Sequence, residues 1–335
     1  MPRRPPAVAR VLTQVTATVR TRELLEPGDL VLAAVSGGPD SLCLLYSLWY
    51  LRRLLKIRVE VFHFDHRLRP DSAKDGAYVR GVSERLGLPF HLREAEGRPK
   101  KGESVEAWAA INRNNTCHEV RRGLGAASVA EGHTLDDQAE TVLLNLIRGS
   151  GIEGLSGIDP GGARSSSIQP LIDVPSADVE AFCRALHLRP RQDPMNRDRR
   201  YLRVAIRLDV LPKIEQATGR GAKATLARTA DNLRAGRDEL YVATIRAAQD
   251  VADRGPAGEI RFDAAKVRAL APAMAARVIR SEIYNAMAIM EVPWSQGAID
   301  AVVDLADGRP GRQRDLPNGR VARRTRTHVV VTHER

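Results

Sequence analysis

Between Asp29 and Leu188 the chain switches five times, always in the same direction, from a short β-rich run to a longer segment with helical spacing. The runs are DLVLAAVS, RVEVFHFDH, PFHLREAE, ASVAEGH and SIQPLIDV. The segments that follow are a stretch from about Asp40 to Leu55, then DSAKDGAYVRGVSERLGL, ESVEAWAAINRNNTCHEVRRGLG, DDQAETVLLNLIRG and SADVEAFCRALHL. Strands separated by helical returns do not meet as hairpins. They pair in parallel through right-handed crossovers, and the helices cover both faces. DLVLAAVS is almost wholly apolar, as a strand buried on both sides must be. The expected fold is therefore α/β, a parallel five-stranded sheet with helices on both faces. Ligands of such sheets bind beyond the carboxyl ends of the strands.

After Leu188 the pattern changes. RPRQDPMNRDRRYLR is polar, basic and interrupted by proline, which reads as a linker or functional loop. Helices are expected from about Val204 to Ala217, over 222–253, near 263–290 and over 295–306. The tail turns back as a hairpin at Asn318-Gly319. A length of 335 residues exceeds one ordinary core. The division expected is a catalytic domain over 1–188 with its core over about 27–188, a basic linker and helix over 189–215, and a smaller, mainly helical second domain over 216–335. Charge follows the division: residues 1–187 hold 24 basic and 23 acidic residues, and residues 188–335 hold 28 and 18. The second part is the one expected to meet a polyanion, although a solvated arginine-rich surface would give the same excess. The basic N-terminus has no apolar stretch after it and does not read as a signal peptide. No apolar run reaches the ~20 residues of a membrane span. Cys43, Cys117 and Cys183 stand far apart, so neither a zinc nor an iron–sulfur site is expected, and the chain reads as reduced and cytoplasmic.

One loop carries chemistry. SGGPDS joins the first strand to the first helix, where phosphate loops sit. Gly37 and Gly38 let backbone amides approach a phosphate closely. Pro39 has its φ preset for a first helical turn. Ser36 and Ser41 offer hydroxyls, and the helix end adds its positive dipole. The plain alternative is a tight βα turn with Asp40 as a first-turn carboxylate. The loop lacks both the lysine of a Walker A motif and the GxGxxG of a dinucleotide fold.

SGGPDS resembles SGGxDS, the pyrophosphate loop of the PP-loop ATP-pyrophosphatases. Further segments narrow the resemblance. HFDHRLRPDS (63–72), EGHTLDDQAETVLLNLIRGSGIEGLSGI (131–158), QPLIDV and DPMNRDRRYLRVAIR resemble, in order, segments of the tRNA(Ile)-lysidine synthetases. The matches span roughly residues 27–212, and the GHxxDDQxET run is the most specific of them. The remainder resembles the family's second domain only in its helical, basic character. The third domain of longer members is not expected here.

The resemblance implies an ATP-dependent ligase. Such enzymes adenylylate oxygen 2 of the wobble cytidine in a CAU-anticodon tRNA(Ile). Free L-lysine then displaces AMP, leaving lysidine. ATP and Mg2+ are the implied cofactors; the oligomeric state is not given, and a homodimer stays open. The phosphate cradle would be Ser36, Gly37, Gly38, Pro39, Asp40 and Ser41, with Asp40 on Mg2+. His63 and Asp65 would line the adenosine side or help hold the metal, or else merely cap the next turn. His133, Asp136, Asp137 and Glu140, with Asp40, are the candidate catalytic residues, since a carboxylate near the lysine ammonium can orient it and take its proton. Positions 136, 137 and 140 share a helix face. A cap is the competing reading, with Thr134 as N-cap and Asp137 at N3. Gly132-His133 and the neutral Gln138 lie outside what a cap explains. Arg113, Arg148, Arg203 and Arg207 are the candidate tRNA contacts. The last two belong to a stretch, 189–207, with seven arginines, and arginine's planar fork suits phosphates and base edges. Tyr201 would stack on a base or simply pack at a helix start.

The chain also departs from the family pattern. Ala110 stands where an arginine is usual, Asn114 where an aromatic is usual, and Val204 where an asparagine is usual. Two other readings therefore stay in view. A PP-loop tRNA thiolase would want the paired cysteines that are missing. A catalytically weakened tRNA-binding homologue would fit the lost arginine at Ala110.

Overall fold

The computed structural model describes residues 4–68, 71–99, 104–191, 199–255, 259–286 and 294–333. The DPMNRD segment, 193–198, lies outside the described residues. The chain forms two compact units, Met1–Arg234 and Ala235–Arg335. The basic stretch after Leu188 thus groups with the first.

The first unit is built on β1 (Leu30–Ala34), β2 (Arg58–Asp65), β3 (Phe90–Glu94), β4 (Ser128–Ala130) and β5 (Ser167–Ile168), in the order β3-β2-β1-β4-β5. Every neighbouring pair is parallel, as expected. The order reverses between β1 and β4, so the crevice beyond those two strand ends is where a ligand fits. Strand alternation sorts the core into two layers. Val31, Ala33, Val59 and Val61 join one buried cluster. Leu30, Leu32, Phe62 and Phe64 join another on the opposite face.

The helices are α1 (Pro6–Thr21), α2 (Pro39–Leu55), α3 (Ser72–Leu86), α4 (Val105–Leu124), α5 (Leu135–Ile147), α6 (Ile152–Leu155) and α7 (Ser176–Ala185). α1, α2, α3 and α7 cover the first face, and α4, through Trp108, Cys117 and Val120, covers the second. α1 lies outside the expected helices. It forms because Val8, Val11, Leu12, Val15 and Val19 make one apolar stripe, buried where α1 packs on α7 and α2. The fifth strand is much shorter than SIQPLIDV: after Ile168 the chain enters turns.

Next come α8 (Leu202–Ala205), a π-helical turn over Ile206–Val210 and α9 (Leu211–Thr218). Pro212 has no N–H for the carbonyl four residues back, and its ring crowds that carbonyl. The helix widens by one residue there, and the Leu211 amide reaches back to Ile206 O. Ile206 and Leu211 pack with Ala139 and Leu143 of α5. α10 (Ala222–Val251) runs through the boundary between the units.

The second unit holds β6 (Ala252–Arg254), β7 (Ile260–Asp263), α11 (Ala264–Ala269), α12 (Pro272–Ala286), α13 (Gln296–Asp307), β8 (Gln313–Leu316), β9 (Arg320–Arg324) and β10 (His328–His333). Its strands form an antiparallel sheet, β6-β7-β10-β9-β8. The hairpin turns where expected, with Leu316 opposite Arg320 and Asn318 and Gly319 at φ 60° and 64°. β6 and β7 were not foreseen. Ile260, Phe262, Ala322, Val329 and Val331 give the sheet an apolar face under the helices. Among the described residues no helix is long and apolar enough to cross a membrane.

Candidate active site

The loop after β1 is closed by its own side chains. Ser41 Oγ accepts from the Gly37 amide at 3.1 Å and donates to Gly38 O at 3.0 Å, and Ser36 Oγ donates to Ser41 Oγ at 3.2 Å. Gly37 has φ +92°, which disfavours any side chain, and a Cβ there would come within 3.3 Å of Arg191 Cγ. Pro39 is the first residue of α2 and Gly38 its N-cap. The first-turn amides of α2 have no carbonyl within the helix to bind. The result is a preformed loop with an anion-seeking rim, which fits a phosphate or pyrophosphate.

Asp40 sits at that rim. Burial raises its carboxyl to about 7, with Asp137, Asp136 and Glu180 adding repulsion and Arg207 opposing it. Among the described residues no group donates a hydrogen bond to it. A part-buried carboxyl with no donor, beside a phosphate loop, fits Mg2+ arriving with a nucleotide, because Mg2+ takes one or two carboxylates and completes its shell with phosphate and water. Among the described residues there is no three-member cluster of His, Cys, Asp or Glu that would cage a metal without a nucleotide.

β4 brings the acidic helix to the loop. A Cβ on Gly132 would stand 3.1–3.2 Å from the Asp40 and Ser41 backbone, so glycine permits this close approach. Thr134 then caps α5. Its hydroxyl accepts from the Asp137 amide at 3.3 Å, and Asp137 Oδ2 accepts from the Thr134 amide at 2.9 Å, a full capping box. The cap uses one oxygen of Asp137. Its other oxygen, Oδ1, lies 3.4 Å from both Arg203 Nη2 and Arg207 Nη2.

The three acids of α5 do not act as one free cluster. Glu140 is fully buried and is held by Arg203 Nε at 3.0 Å and by Arg207, whose Nη2 donates to Oε2 at 2.9 Å. Asp136 turns away. It accepts from the Ser176 amide at 2.9 Å and forms an ion pair with Lys223 at the start of α10. Arg203 and Arg207, expected at RNA phosphates, therefore lie against carboxylates of α5, with 39% and 37% of their side-chain surface still exposed. The π turn carries Arg207 and orients it beside Arg203 toward the same Glu140.

The other candidates are distributed as follows. His63 is buried and its Nδ1 donates to Val35 O at 2.7 Å. Asp65 is buried and its Oδ1 accepts the Arg67 amide at 2.8 Å, the turn-capping geometry. His133 Nδ1 meets Gln169 Oε1 at 2.9 Å. Arg113 touches Asn114 Oδ1, at 3.4 Å from Nε, and its charge reaches Glu131 and His66. Arg148 is exposed at the C-cap of α5. Tyr201 is the N-cap residue of α8. Gln138, which the cap did not explain, has a structural task. Its amide brackets Ile158, donating to Ile158 O at 3.2 Å and accepting from Ile158 N at 2.6 Å. A Cβ on Gly157 would overlap it.

Several site residues were missed from sequence: Lys223, Glu131, Gln169 and His66. His66 lies within a quoted motif. Burial, reinforced by Arg113, lowers its pKa to about 4, and its Nδ1 is buried with no partner among the described residues. Glu131 and Gln169 open the quoted EGHTLDDQ and QPLIDV segments, but nothing local gives either a task; Lys223 lies far along the chain from the group it meets, and no local pattern marks it.

Residues 8–214 match the model of a PP-loop domain. A tRNA(Ile)-lysidine synthase of Leifsonia xyli is 36% identical over 256 residues, covering 76% of this chain and 76% of the relative. One of Symbiobacterium thermophilum is 34% identical, covering 92% and 66%, and one of Clostridioides difficile is 29% identical, covering 97% and 71%. The chain thus spans about two thirds to three quarters of these relatives' lengths. Among solved structures, the U34-tRNA thiolase NcsA of Methanococcus maripaludis, with its [4Fe-4S] cluster, aligns at a TM-score of 0.57 and 20% identity, covering 68% of this chain and 78% of that one. That likeness speaks to fold alone.

Proposed function

The chain belongs to the PP-loop domain family and, within it, to the tRNA(Ile)-lysidine synthases, ligases that act on tRNA with ATP, and from that membership we propose that it joins L-lysine to position 2 of the wobble cytidine of a CAU-anticodon tRNA(Ile). In this reading ATP supplies the adenylyl group that activates cytosine O2, pyrophosphate leaves, and the side-chain amine of lysine displaces AMP. The observation that carries the proposal is geometric. Gly132, two residues before the cap of the acidic helix, packs so closely on the phosphate loop that a Cβ there would stand 3.1–3.2 Å from the Asp40 and Ser41 backbone, so loop and acidic helix form one reaction space.

Each residue then has a task. The amides at Gly38 and the first turn of α2, with Ser36 and Ser41, would hold the leaving pyrophosphate, and Asp40 would hold Mg2+, which would neutralise phosphate charge. His63 and Asp65 shape the floor on the nucleotide side. Asp137 presents Oδ1 toward the reacting amine while Oδ2 keeps the helix capped. Glu140 is a positioning residue: fully buried, it holds Arg203 and Arg207, whose outer faces remain available to RNA or to the developing phosphate charge. Asp136 is shared with Lys223, and an incoming lysine ammonium has to compete with that contact. Arg113 and Arg148, together with the basic residues of 216–335, bind the tRNA.

A weakened catalyst is the second reading, favoured by Ala110, Asn114 and by the cation already paired with each acid of α5. ATP–pyrophosphate exchange separates the two. Exchange that requires the CAU-anticodon tRNA but not lysine supports adenylylation of the RNA. No exchange with a folded protein that still binds the tRNA supports the weakened homologue and overturns the proposal.

A further inference from the structure

A part-buried hydrogen-bond chain runs behind His133. Ser167 Oγ and Gln169 Nε2 both donate to Glu131 Oε2, at 3.1 and 3.0 Å, and Gln169 Oε1 faces His133 Nδ1 at 2.9 Å. Gln169 is 4% exposed. It directly follows the last residue of β5, and Glu131 directly follows the last residue of β4, so the parallel register of these strands brings the two side chains together. The amide has only one workable orientation. Reversed, it would set its oxygen against a carboxylate oxygen, two acceptors with no hydrogen between them. Burial opposes ionisation of Glu131, yet His133, Gln169, Arg113 and Ser167 together hold its carboxyl below the ordinary value, so it is charged at neutral pH. A charged Glu131 accepts from the amide N–H2, the amide oxygen is left for the ring, and the ring must supply the hydrogen.

We propose that Glu131 and Gln169 are positioning residues that fix the hydrogen of His133 on Nδ1 and leave Nε2 as the nitrogen that meets the substrate. This rests on the function proposed above and deepens it. In an isolated neutral histidine the hydrogen favours Nε2, so the chain reverses the intrinsic preference. A neutral ring held this way offers Nε2 as an acceptor, suited to a hydrogen-bond donor such as an amine. A protonated ring donates from Nε2, and the charge of Glu131, relayed through one amide, offsets the charge gained.

The test reads the ring directly. The full chain is labelled with 15N at histidine, and His133 is assigned by its loss in His133→Gln. The neutral wild-type ring is expected to carry its hydrogen on Nδ1. Gln169→Met, similar in shape but with neither donor nor acceptor for this pair, is expected to return the hydrogen to Nε2. It should lower kcat for lysine transfer by about 10–100-fold, the penalty known for removing a group that orients a metal-ligating histidine, with KM for ATP near the wild-type value. The exchanged pair Glu131→Gln with Gln169→Glu rebuilds the chain in reverse order and is expected to restore both the Nδ1 hydrogen and kcat. A wild-type ring protonated on Nε2 overturns the proposal without any variant. Wild-type kcat in a folded Gln169→Met protein, or an exchanged pair no better than Glu131→Gln alone, overturns it as well. The tautomer is read in the free protein, so a chain with the expected tautomer but no lysine transfer would sink the proposed function and leave this inference standing.

Discussion

In the proposed reaction Asp40 is the residue that would hold Mg2+, and its ionisation has a sign that can be checked. Its folded carboxyl titrates near 7 against an ordinary 3.8. Between those values the folded chain keeps a proton that the unfolded chain releases, so stability present at low pH is lost as pH rises toward 7. Asp40→Asn removes that loss. Its melting temperature is expected to match wild type near pH 4 and exceed it at pH 8, by a stability gain of about 1–4 kcal/mol, while ATP–pyrophosphate exchange is abolished. A variant no more stable at pH 8 than at pH 4, relative to wild type, would show that the carboxyl is already neutralised in the free protein. Glu140 poses a different case. It is fully buried and paired with two guanidinium groups. Removing both arginines strands the charge, and a folded-state cost of about 3–5 kcal/mol is expected for Arg203→Ala with Arg207→Ala. Adding Glu140→Gln to that pair should recover part of the loss. Chemical denaturation of the three proteins measures it, and full independence of the substitutions would mean that the arginines do not serve Glu140.

At the scale of elements, the contact that makes one site out of two motifs is the approach of the β4–α5 connection to the start of α2. Gly132→Ala puts a methyl 3.1–3.2 Å from the Asp40 and Ser41 backbone. Neither side can retreat cheaply, because Thr134 caps one helix and Ser41 locks the other. A stability loss of about 1–3 kcal/mol is expected, as for other overpacked positions, and the loss of pyrophosphate exchange should be out of proportion to it. Thermal melts alongside exchange rates would show this, and unchanged exchange would separate the two motifs. These elements were largely legible in the sequence. Five alternating strand and helix segments gave the sheet, and the glycines and proline of SGGPDS placed the loop at a helix start, because those signals are local. The capping box at Thr134 and Asp137 was legible for the same reason. What stayed hidden depends on distance along the chain. Asp136 meets Lys223, Glu140 meets Arg203 and Arg207, and Glu131 meets Gln169 only after the chain has folded. Gln138 looked functional because the amide it brackets, that of Ile158, belongs to the next segment. β6 and β7 are short and carry charged residues, and only pairing, β7 with β10 and β6 with β7, makes them strands. α1 was legible in its valine spacing but lay before the segments that carried the motif.

For the whole molecule the question is where the positive charge sits. Residues 188–234, in the first unit, carry 12 basic and 5 acidic residues, while residues 235–335 carry 16 and 13. Most of the excess therefore belongs with the catalytic sheet. Within the terminal hairpin the arginines also divide. Arg320 and Arg324 are buried, whereas Arg312, Arg314, Arg323 and Arg326 are exposed. The exposed four are expected to meet phosphates. Their replacement by alanine should weaken tRNA binding and flatten the dependence of log affinity on log salt, by about 0.7–0.9 for each phosphate that is no longer neutralised. Arg324→Ala should lower the melting temperature instead. Binding titrations at several salt concentrations decide this, and an unchanged slope would make the tail a solvated surface. The account's central claim, that loop and acidic helix together join lysine to a wobble cytidine, is tested most directly by the mass of that nucleoside. A CAU-anticodon tRNA(Ile) would be incubated with the protein, ATP, Mg2+ and L-lysine, then digested and weighed. The predicted product is a wobble cytidine heavier by one lysine less one water, formed only when ATP and lysine are both present and absent with Asp40→Ala. A wobble cytidine of unchanged mass after incubation with the folded wild-type chain, or a gain in mass that does not require lysine, would contradict it.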